Sequence, residues 1–322
     1  MVGSCHRNTL ILTFKAIYHK PISVVMTKTL YIVNPAGNGG AGIKVWGKFK
    51  DLWGNDIDEN DIVFTKRSLH GIEIASKAEG YSTIVSVGGD GTVNEVLQGV
   101  LKNNFKPSLA IIPAGTGNDI ARNVGIGSLR DAVKALRENQ SKKYDILQTE
   151  YGQEVKYSFL TTNFGFSANH RIKPWMKRLL GATAAYYLAT FLEIILFHPW
   201  KMNVEWENGE YSGKTTMVII ANVERTSGGS MILGPGASPI DGKMTVTIVP
   251  YKSKASCLFN EFPNLPKGKV SEIPGVKFFQ TNQISVKSEP ETDMDIDGDN
   301  HGSTPASVKI LPQCVKIISL VK

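Results

Sequence analysis

Cysteine is scarce in this chain of 322 residues. The three cysteines, Cys5, Cys257 and Cys314, lie far apart and form no Cys-x-x-Cys pair. An odd number of widely spaced cysteines favours neither a disulfide framework nor a zinc site. The sequence therefore predicts a protein of a reducing, cytoplasmic compartment.

The chain also lacks an arginine-rich arm and any basic and aromatic motif of the kind that binds nucleic acid. Its formal net charge of +7 is modest, and its 42% hydrophobic and 20% charged residues are ordinary for a folded protein. We therefore expect no nucleic-acid partner. The positive charge suits a phosphate-bearing substrate and an anionic membrane surface equally well.

Long uncharged runs are rare as well. Residues 179–200 approach the length of a membrane span, but Glu193 and Gly181 fall within them, which favours a buried or interfacial helix. A basic and aromatic patch lies just before this run and suits either peripheral docking on anionic lipid or a solvated helix start. The patch consists of Arg171, Lys173, Trp175, Met176, Lys177 and Arg178.

Strand-like and helix-like segments alternate over residues 28–140, which predicts a doubly wound parallel sheet. After about Asp145, short β-rich runs separated by turn residues predict a second domain with a β-sandwich. The polar segment 252–271 is interpreted as a surface excursion. The predicted strands are 29–33, 61–65, 82–87, 108–112, 215–221, 244–249, 283–286 and 315–320, and the predicted helices are 44–53, 71–78 and 129–139.

Two glycine-rich loops each follow an apolar β-type run and lead into a helix-like segment. The first is Ser86–Glu95 (SVGGDGTVNE) and the second is Pro113–Asp119 (PAGTGND). Glycines let backbone N–H groups approach phosphate oxygens, and a helix N-terminus favours their negative charge. Because two such loops on neighbouring strands would meet at one edge of a parallel sheet, the sequence predicts a phosphate site there.

Asp90 and Asp119 stand within these loops, although carboxylates repel phosphate. Both acids are explained if a divalent cation lies between them and a nucleotide. The loops and acids together therefore predict phosphoryl transfer.

A third glycine pattern, Gly-x-Gly-x-x-Gly over residues 37–42, follows the first predicted strand. It matches a dinucleotide-binding fingerprint, but that fingerprint also needs an acid at the end of the second strand to bind ribose. Here the second strand ends in Thr-Lys-Arg at 65–67. A nicotinamide dehydrogenase is therefore disfavoured, and the loop is interpreted as another part of the phosphate site.

The Gly88–Thr92 loop resembles those of diacylglycerol- and sphingosine-type lipid kinases, NAD kinases and phosphofructokinases. Its continuation, with Val-Asn-Glu-Val at 93–96 and Pro-x-Gly-Thr-Gly-Asn-Asp-x-Ala-Arg at 113–122, is similar to the diacylglycerol kinase catalytic domain. The resemblance extends over residues 28–322 and is closest to the soluble bacterial lipid kinases. Further matching patterns are Asn34-Pro35, Thr65 before His70-Gly71, Asp145-Ile146, Asn163-x-Gly165-Phe166, Gly181-Ala182 with Tyr186-Tyr187-Leu188-Ala189, and Gly228-Gly229 followed by Pro235-x-Ala237 and Asp241-Gly242.

This resemblance implies an α/β nucleotide-binding domain like those of NAD kinases and phosphofructokinases, followed by a β-sandwich domain for a lipid substrate. The nucleotide-binding domain would comprise residues 27–145 plus 306–322, and the sandwich domain residues 146–305. Residues 1–26 would be an extension, predicted to be disordered. The positions implied to contact ATP are Asn34, Pro35, Ala36, Gly37, Asn38, Thr65, Gly88, Gly89, Asp90, Gly91, Thr92, Val93, Asn94 and Thr116.

The resemblance also implies two magnesium sites. Asp90, Asp119 and Asp145 match acids expected to hold the catalytic Mg²⁺ through water. The loop around Asp241 matches a structural Mg²⁺ site that would be completed by the carbonyl oxygens of Ser238 and Lys243.

The acceptor-activating motif of the family is Asp-Gly-Glu, whereas this chain has Asp297-Gly298-Asp299. A general base must come within about 2.6–3.2 Å of the hydroxyl that it deprotonates. Aspartate is one methylene shorter than glutamate and reaches roughly 1.3–1.5 Å less far. Asp299 is the favoured base and Asp297 the alternative, and a catalytically weak protein with a solvated turn at this position stays open.

The main hypothesis is therefore an ATP-dependent lipid kinase that associates peripherally with membranes. Its acceptor is open among diacylglycerol, phosphatidylglycerol, a sphingoid base and another long-chain alcohol. The alternatives are a soluble kinase of the NAD-kinase type and a weakly active regulatory protein that binds lipid or nucleotide. A free sheet edge in the β-rich domain would allow a homodimer. The histidines that lack metal-ligand spacing, and are expected to have no site role, are His170, His198 and His301.

Overall fold

The fold is a mixed α/β structure, seen in a computed structural model that describes residues 28–54, 57–103, 106–166, 188, 191–192, 194–196 and 198–320. The predicted extension 1–26, His170 and the basic patch around Trp175 lie outside the described residues, as does much of the 179–200 run. Within the described ranges, no helix is both long and apolar enough to cross a membrane.

The N-terminal half is built on a parallel sheet in the order β2–β1–β3–β4. These strands are β1 (Thr29–Val33), β2 (Ile62–Phe64), β3 (Thr83–Gly88) and β4 (Ser108–Pro113). All six residues of β3 are buried, as expected for a parallel strand that is covered on both faces. The strand bounds agree with those predicted to within one residue.

Helices cover both faces of this sheet, so the predicted doubly wound arrangement is confirmed. Helix α2 packs on α3, whereas α1 packs on α5. On the α1 side, the rings of Trp46 and Phe49 lie 5.2 and 6.0 Å from the ring of Tyr31 on β1. The helices are α1 (Gly37–Trp53), α2 (His70–Ser76), α3 (Asp90–Lys102), α4 (Asp119–Asn123) and α5 (Leu129–Glu138).

The C-terminal half is antiparallel, and its predicted β-sandwich class is confirmed. Its core is formed by inward-facing residues from several strands, such as Val204, Ile220, Val246 and Val286. The strands are β5 (Ser141–Tyr151), β6 (Glu154–Ser158), β7 (Thr161–Gly165), β8 (Trp200–Trp206), β9 (Gly209–Ala221), β10 (Arg225–Thr226), β11 (Met231–Ile232), β12 (Met244–Pro250), β13 (Lys277–Thr281), β14 (Gln283–Glu289), β15 (Asp293–Ile296), β16 (Asp299–Ser303) and β17 (Ala306–Ile318).

Strand β17 belongs to both halves, which corrects its assignment to the nucleotide-binding domain alone. Residues 306–309 of β17 pair with β14, and residues 306–311 pair with residues 146–151 of β5. Near the other end of β17, Ile317 pairs in parallel with Leu109 on β4. The register shifts between Leu311 and Val315. The chain therefore passes between the two halves within one strand, later than the predicted boundary at 306.

Asp145 stabilises this crossing. Its side chain is fully buried, and its two carboxylate oxygens accept hydrogen bonds of 2.7 Å from the backbone N–H groups of Gly242 and Gln313. Its own backbone N–H donates to the carbonyl of Pro239 at 2.8 Å. One carboxylate thus joins β5, the 239–242 loop and the irregular part of β17.

The segment 252–271 is not the surface excursion that its polar composition predicted. It forms consecutive short helical turns, Lys254–Ser256, Cys257–Glu261 and Phe262–Asn264, followed by a further turn at Val270–Glu272. Leu265, Val270 and Ile273 are buried against Ile219 and Val249 of the sheet. The burial was not predicted because the apolar residues of this segment are spaced irregularly and follow neither a helix nor a strand period.

We expect Asp145→Ala to lower the free energy of unfolding by about 2–4 kcal/mol, because it leaves two buried N–H groups without an acceptor. Urea unfolding, followed with and without MgCl₂, measures the loss. Asp51→Ala, at an exposed position of α1, is the control and should change stability by less than about 0.5 kcal/mol.

The two buffers separate the observed structural role from the predicted metal role. Equal losses with and without MgCl₂ are expected if the hydrogen bonds alone account for the effect. A loss seen only in the presence of MgCl₂ would instead support Asp145 as a metal-holding residue.

Candidate active site

The first glycine loop is organised by Asn34. Its side-chain oxygen accepts hydrogen bonds of 3.1 Å from the backbone N–H groups of Ala36 and Gly37, and its amide donates to Thr92 Oγ1 at 2.9 Å. The backbone of Gly42 passes so close that an added Cβ would lie 1.9 Å from the Asn34 carbonyl oxygen. The last glycine of the Gly-x-Gly-x-x-Gly pattern at 37–42 therefore allows helix α1 to pack closely against the loop at Asn34.

The two predicted phosphate loops meet through glycine. A Cβ on Gly115 would lie 2.5 Å from Gly89 Cα, so a side chain at this position would force the loops apart. The Ala114 N–H also donates to the Gly88 carbonyl at 2.8 Å. The predicted meeting of the loops at one sheet edge is therefore present in the structure.

Glu95 holds a fourth segment at this edge and was not among the predicted site residues. Its carboxylate accepts hydrogen bonds from the N–H groups of Leu69 (2.8 Å) and Gly71 (3.0 Å), at the start of α2. Leu69 has a left-handed backbone conformation with φ of 63°, which this pair of bonds helps to fix. Glu95 was visible in the sequence within the motif at 93–96, but its partners are 24 and 26 residues distant.

These segments enclose a polar cavity of about 490 Å³. Of the positions implied to contact ATP, it is lined by Asn34, Ala36, Gly37, Asn38, Thr65, Gly89, Gly91 and Thr92. Thr116 joins its rim through a hydrogen bond of 3.3 Å to Asn38. The cavity is also lined by Lys66, Arg67, Ser68, Glu95 and Gly115, which sequence reasoning did not include.

Two of the implied ATP contacts are directed elsewhere. The Val93 side chain is 2% exposed and packs in the core, and its N–H already bonds to the Gly89 carbonyl. The Asn94 amide donates to Asp297 at 2.8 Å. Both residues follow the loop inside helix α3, where the helical turn directs them away from the polar cavity.

Asp90 and Asp119 each direct one carboxylate oxygen toward Gly117. Each uses Oδ1 for backbone hydrogen bonds, Asp90 with Ile120 N–H and Asp119 with the N–H groups of Gly228 and Gly229. Their Oδ2 atoms lie 3.1 and 3.3 Å from the point that a Gly117 Cβ would occupy. Burial and, after it, the nearby Asp90 charge raise the pKa of Asp119, although these N–H donors oppose the shift.

Two adjacent carboxylate oxygens that repel each other fit a hard divalent cation such as Mg²⁺. The Asp145 carboxylate accepts one backbone hydrogen bond at each oxygen, from Gly242 and from Gln313. Within the described ranges, no three His, Cys, Asp or Glu side chains lie close enough together to hold a metal directly. That Asp90, Asp119 and Asp145 together hold one Mg²⁺ through water stays a prediction.

The Asp241 loop forms a closed turn beside Asp145. Asp241 N–H donates to the Ser238 carbonyl at 3.4 Å, and Asp241 Oδ1 accepts from Lys243 N–H at 3.0 Å. This arrangement groups the three residues predicted for the structural Mg²⁺ site. Their binding of a metal stays a prediction.

Asp297 is a structural anion within the Asp-Gly-Asp turn. Its Oδ1 accepts from Leu160 and Thr161 N–H at 2.8 and 3.0 Å, and its Oδ2 accepts from Phe159 N–H at 3.0 Å in addition to Asn94. Burial raises the pKa of Asp297 to about 6 against the effect of these donors, so the group is mostly ionised at neutral pH. Four donors use the lone pairs with which a carboxylate would accept a further proton.

Asp299 is exposed and faces the first phosphate loop. Its Oδ2 lies 3.9 Å from the position that a Cβ on Gly91 would occupy, although the two residues are far apart in sequence. His301 follows on the same face of β16, and Asp299 is close enough to act on its charge. Burial and Lys156 nevertheless lower the pKa of His301 overall. His301 thus lies near Asp299, and the expectation that it has no site role stays a prediction.

A second cavity, of about 220 Å³ and mainly apolar, opens beside this turn. One end is lined by Asp119, Asp297 and Gly298, so it adjoins the acids. The remaining wall comes from the β-rich half, mainly from Asn163, Ile194, Thr216, Met217, Ile219, Leu233, Cys257, Glu261, Phe262 and Leu265. The Asp-Gly-Asp turn thus lines the apolar cavity through Asp297 and Gly298, and its Asp299 faces Gly91 of the polar cavity.

Known families match both halves of the chain. Residues 28–149 match the model of the diacylglycerol kinase catalytic domain, and residues 163–319 match the YegS C-terminal NAD kinase beta sandwich-like domain. A crystal structure titled as a "putative diacylglycerol kinase" from Bacillus anthracis str. Sterne has the same fold, with a TM-score of 0.73 at 24% identity. That likeness covers 91% of this chain and 95% of that one.

Curated relatives agree with these matches. A "Putative lipid kinase" of Staphylococcus carnosus (strain TM300) is 31% identical over 246 residues, which are 74% of this chain and 77% of the relative. A "Putative lipid kinase" of Streptococcus pneumoniae serotype 4 (strain ATCC BAA-334 / TIGR4) is 27% identical over 300 residues, 92% of this chain and 99% of the relative. The chain therefore belongs to the diacylglycerol kinase catalytic-domain family of lipid kinases, as the sequence motifs indicated.

We expect Gly115→Ala to weaken nucleotide binding at least tenfold, because the new methyl group would collide with the Gly89 backbone and separate the two loops. Titration of a fluorescent ATP analogue measures the change. Gly47→Ala, with no atom within 4 Å of its added Cβ, is the matched control. The control should bind normally and gain up to about 1 kcal/mol of stability from helix propensity. Equal binding by the wild-type protein and Gly115→Ala would contradict the contact between the loops.

Proposed function

We propose that this protein transfers the γ-phosphate of ATP to the hydroxyl of a lipid. The observation that supports the proposal most is the position of the Asp299 carboxylate, which faces Gly91 of the polar cavity, while Asp297 and Gly298 of the same turn line the apolar cavity. A phosphate donor in one cavity and a lipid in the other would meet at this point. The family membership is consistent with this division of the cleft.

The polar cavity is suited to the phosphates of the donor. Gly89, Gly91 and Gly115 allow close approach of their backbones, and the N-terminus of α3 favours negative charge. Lys66 and Arg67 also line this cavity and add positive charge. Positioning and electrostatic stabilisation of this kind account for most of the catalysis in phosphoryl transfer.

Asp90 and Asp119 would hold a divalent cation through the Oδ2 atoms that both direct toward Gly117. When bound, Mg²⁺ would neutralise charge on the phosphates. The backbone donors to the two Oδ1 atoms fix the carboxylates in place, so the acids are oriented before the nucleotide binds.

Asp299 is the base in this proposal. Its Oδ2 would take the proton of the lipid hydroxyl as the hydroxyl oxygen forms a bond to the γ-phosphorus and the bond to the departing ADP breaks. Asp297 is disfavoured as the base because its oxygens already accept four hydrogen bonds. It instead positions Asp299 by fixing the turn that carries it.

The apolar cavity favours a lipid acceptor over a soluble one such as NAD. Its wall contains Ile194, Met217, Ile219, Leu233 and Phe262, which suit an alkyl chain. The identity of the lipid, with diacylglycerol as one candidate, belongs to the proposal. Peripheral membrane association, a cytoplasmic location and a homodimer stay predictions.

A second candidate function is that of a weakly active regulatory protein that binds lipid or nucleotide. The observation that favours it is the short side chain of Asp299, which reaches less far than a glutamate would. Transfer of radiolabelled phosphate from Mg·ATP to a panel of lipids in mixed micelles distinguishes the candidates. NAD and a sample without lipid serve as the other arms. A labelled lipid supports the proposal, labelled NAD supports a soluble kinase, and bound ATP without transfer supports a regulatory protein.

We expect Asp299→Asn to lower the rate of lipid phosphorylation by a factor of about 10²–10⁴, the usual contribution of a general base. Binding of the ATP analogue should be unchanged, since Asp299 does not line the polar cavity. Asp293→Asn, an exposed acid on the preceding strand, is the matched control and should keep full activity. Full activity in Asp299→Asn would remove Asp299 from the base position.

We expect Asp90→Asn to raise the MgCl₂ concentration needed for half-maximal transfer at least tenfold, because a neutral amide is a weaker ligand for a divalent cation. The substitution keeps the oxygen that accepts from Ile120 N–H, so the fold should be retained. Circular dichroism checks the fold while the assay is repeated across a range of MgCl₂. An unchanged dependence on MgCl₂ would contradict the metal assignment.

A further inference from the structure

Glu261 is a buried carboxyl group for which the proposed chemistry has no use. It lies in the turn Cys257–Glu261, is 3% exposed and lines the apolar cavity. Within the described part of the chain, its Oε2 has no hydrogen-bond partner. Because a buried polar atom without a partner costs stability, a group that binds it from within the cavity would offset that cost.

The surroundings of Glu261 are mostly apolar or weakly polar. Burial raises its pKa, although hydrogen bonding with Cys257, Thr216 and Ser256 opposes the shift. Burial, followed by the charge of Glu261, raises the pKa of the Cys257 thiol to about 12, so Cys257 is a neutral neighbour. These conditions favour a neutral carboxylic acid, which can both donate and accept a hydrogen bond.

Hydrogen bonds connect one end of strand β7 to the Asp-Gly-Asp turn and the other end to a neighbour of Glu261. Strand β7 forms the floor of the cavity, and the Asp297 N–H bonds to the carbonyl of Thr161 at its start. At its other end, Phe166 N–H bonds to the carbonyl of Thr216, the residue next to Glu261. The five-residue separation from Thr161 to Phe166 corresponds to about 16 Å of extended chain.

Residues of β7 and its neighbouring strands line the cavity between the Asp-Gly-Asp turn and Thr216. Asn163 on β7 pairs with Ile219 on β9 and with Asp295 on β15, and all three line the cavity. Met217, opposite Gly165, continues the floor toward Thr216. A lipid chain whose hydroxyl lies at the Asp-Gly-Asp turn would therefore extend along β7 toward Glu261.

We propose that Glu261 hydrogen-bonds a polar group of the acceptor lipid that lies about 16 Å from the phosphorylated hydroxyl. The inference rests on the proposed function and narrows its substrate class. The acceptor is a lipid with a hydroxyl at one end and a second hydrogen-bonding group, such as a hydroxyl or an ester carbonyl, at that distance. A purely alkyl chain of the same length leaves Oε2 without a partner and binds less well.

Two simple probes test this inference without any phosphoryl transfer. Dodecane-1,12-diol places its two oxygens about 16 Å apart when extended, whereas dodecan-1-ol lacks the second oxygen. Equilibrium dialysis of each ¹⁴C-labelled probe against the full chain, without ATP, gives the two dissociation constants. Their ratio is the preference for the second polar group.

We expect Glu261→Leu to lower the preference for the diol about tenfold, since one hydrogen bond from a buried acid is lost. Glu261→Gln, which keeps a donor and an acceptor, should retain most of the preference. Glu272→Gln, at an exposed glutamate of the Val270–Glu272 turn, is the matched control and should behave like the wild-type protein. An equal preference in the wild-type protein and Glu261→Leu, or no binding of either probe by the wild-type protein, would overturn the inference.

Thermal unfolding gives a second readout. In the wild-type protein, dodecane-1,12-diol should raise the unfolding temperature more than dodecan-1-ol does, because only the diol offers a partner to Glu261 Oε2. In Glu261→Leu the two probes should raise the unfolding temperature equally. Equal shifts by the two probes in the wild-type protein would overturn the inference.

The proposed function is tested separately on the same samples by phosphate transfer from Mg·ATP. Loss of the diol preference in Glu261→Leu without transfer to any lipid would support the binding role and reject the kinase proposal. Transfer to lipid with an unchanged preference would do the reverse.

Discussion

The Asp297 carboxylate is the interaction on which the geometry of the cleft depends. It accepts hydrogen bonds from three consecutive backbone N–H groups, 159–161, and from Asn94 on α3. These bonds join the helix behind the first phosphate loop, the start of β7 and the turn that leads to Asp299. The distance between Asp299 and Gly91 is thus set by a carboxylate whose oxygens already accept four hydrogen bonds.

The cleft combines two environments that a single domain would not easily provide. The α/β half supplies glycine loops and helix N-termini, which suit phosphate, whereas the β-rich half supplies an apolar floor. Acids from both halves meet between them, Asp90 and Asp119 on one side and Asp299 on the other. An amphipathic acceptor matches this division because its reactive hydroxyl and its chain need opposite surroundings.

Local patterns predicted the parallel sheet closely, since β1, β3 and β4 are continuous apolar runs that end in glycine loops. The motif resemblance predicted the loop residues and singled out Asp299. Features set by long-range packing could not be predicted. Glu95 meets residues of another helix, and Asp145 accepts from an N–H group 168 positions distant. The burial of Leu265 in the polar segment 252–271 could not be predicted, because the residues that bury it come from distant strands.

Strand β17 also has a consequence for the order in which the molecule assembles. Strand β4 has β3 as its parallel neighbour on one side, and on its other edge it pairs in parallel with the end of β17, near Ile317. During synthesis, that edge therefore stays without its partner while about two hundred further residues are added, and an open edge can pair with other chains. The α/β half is encoded early but can complete its sheet only after the β-rich half has been made.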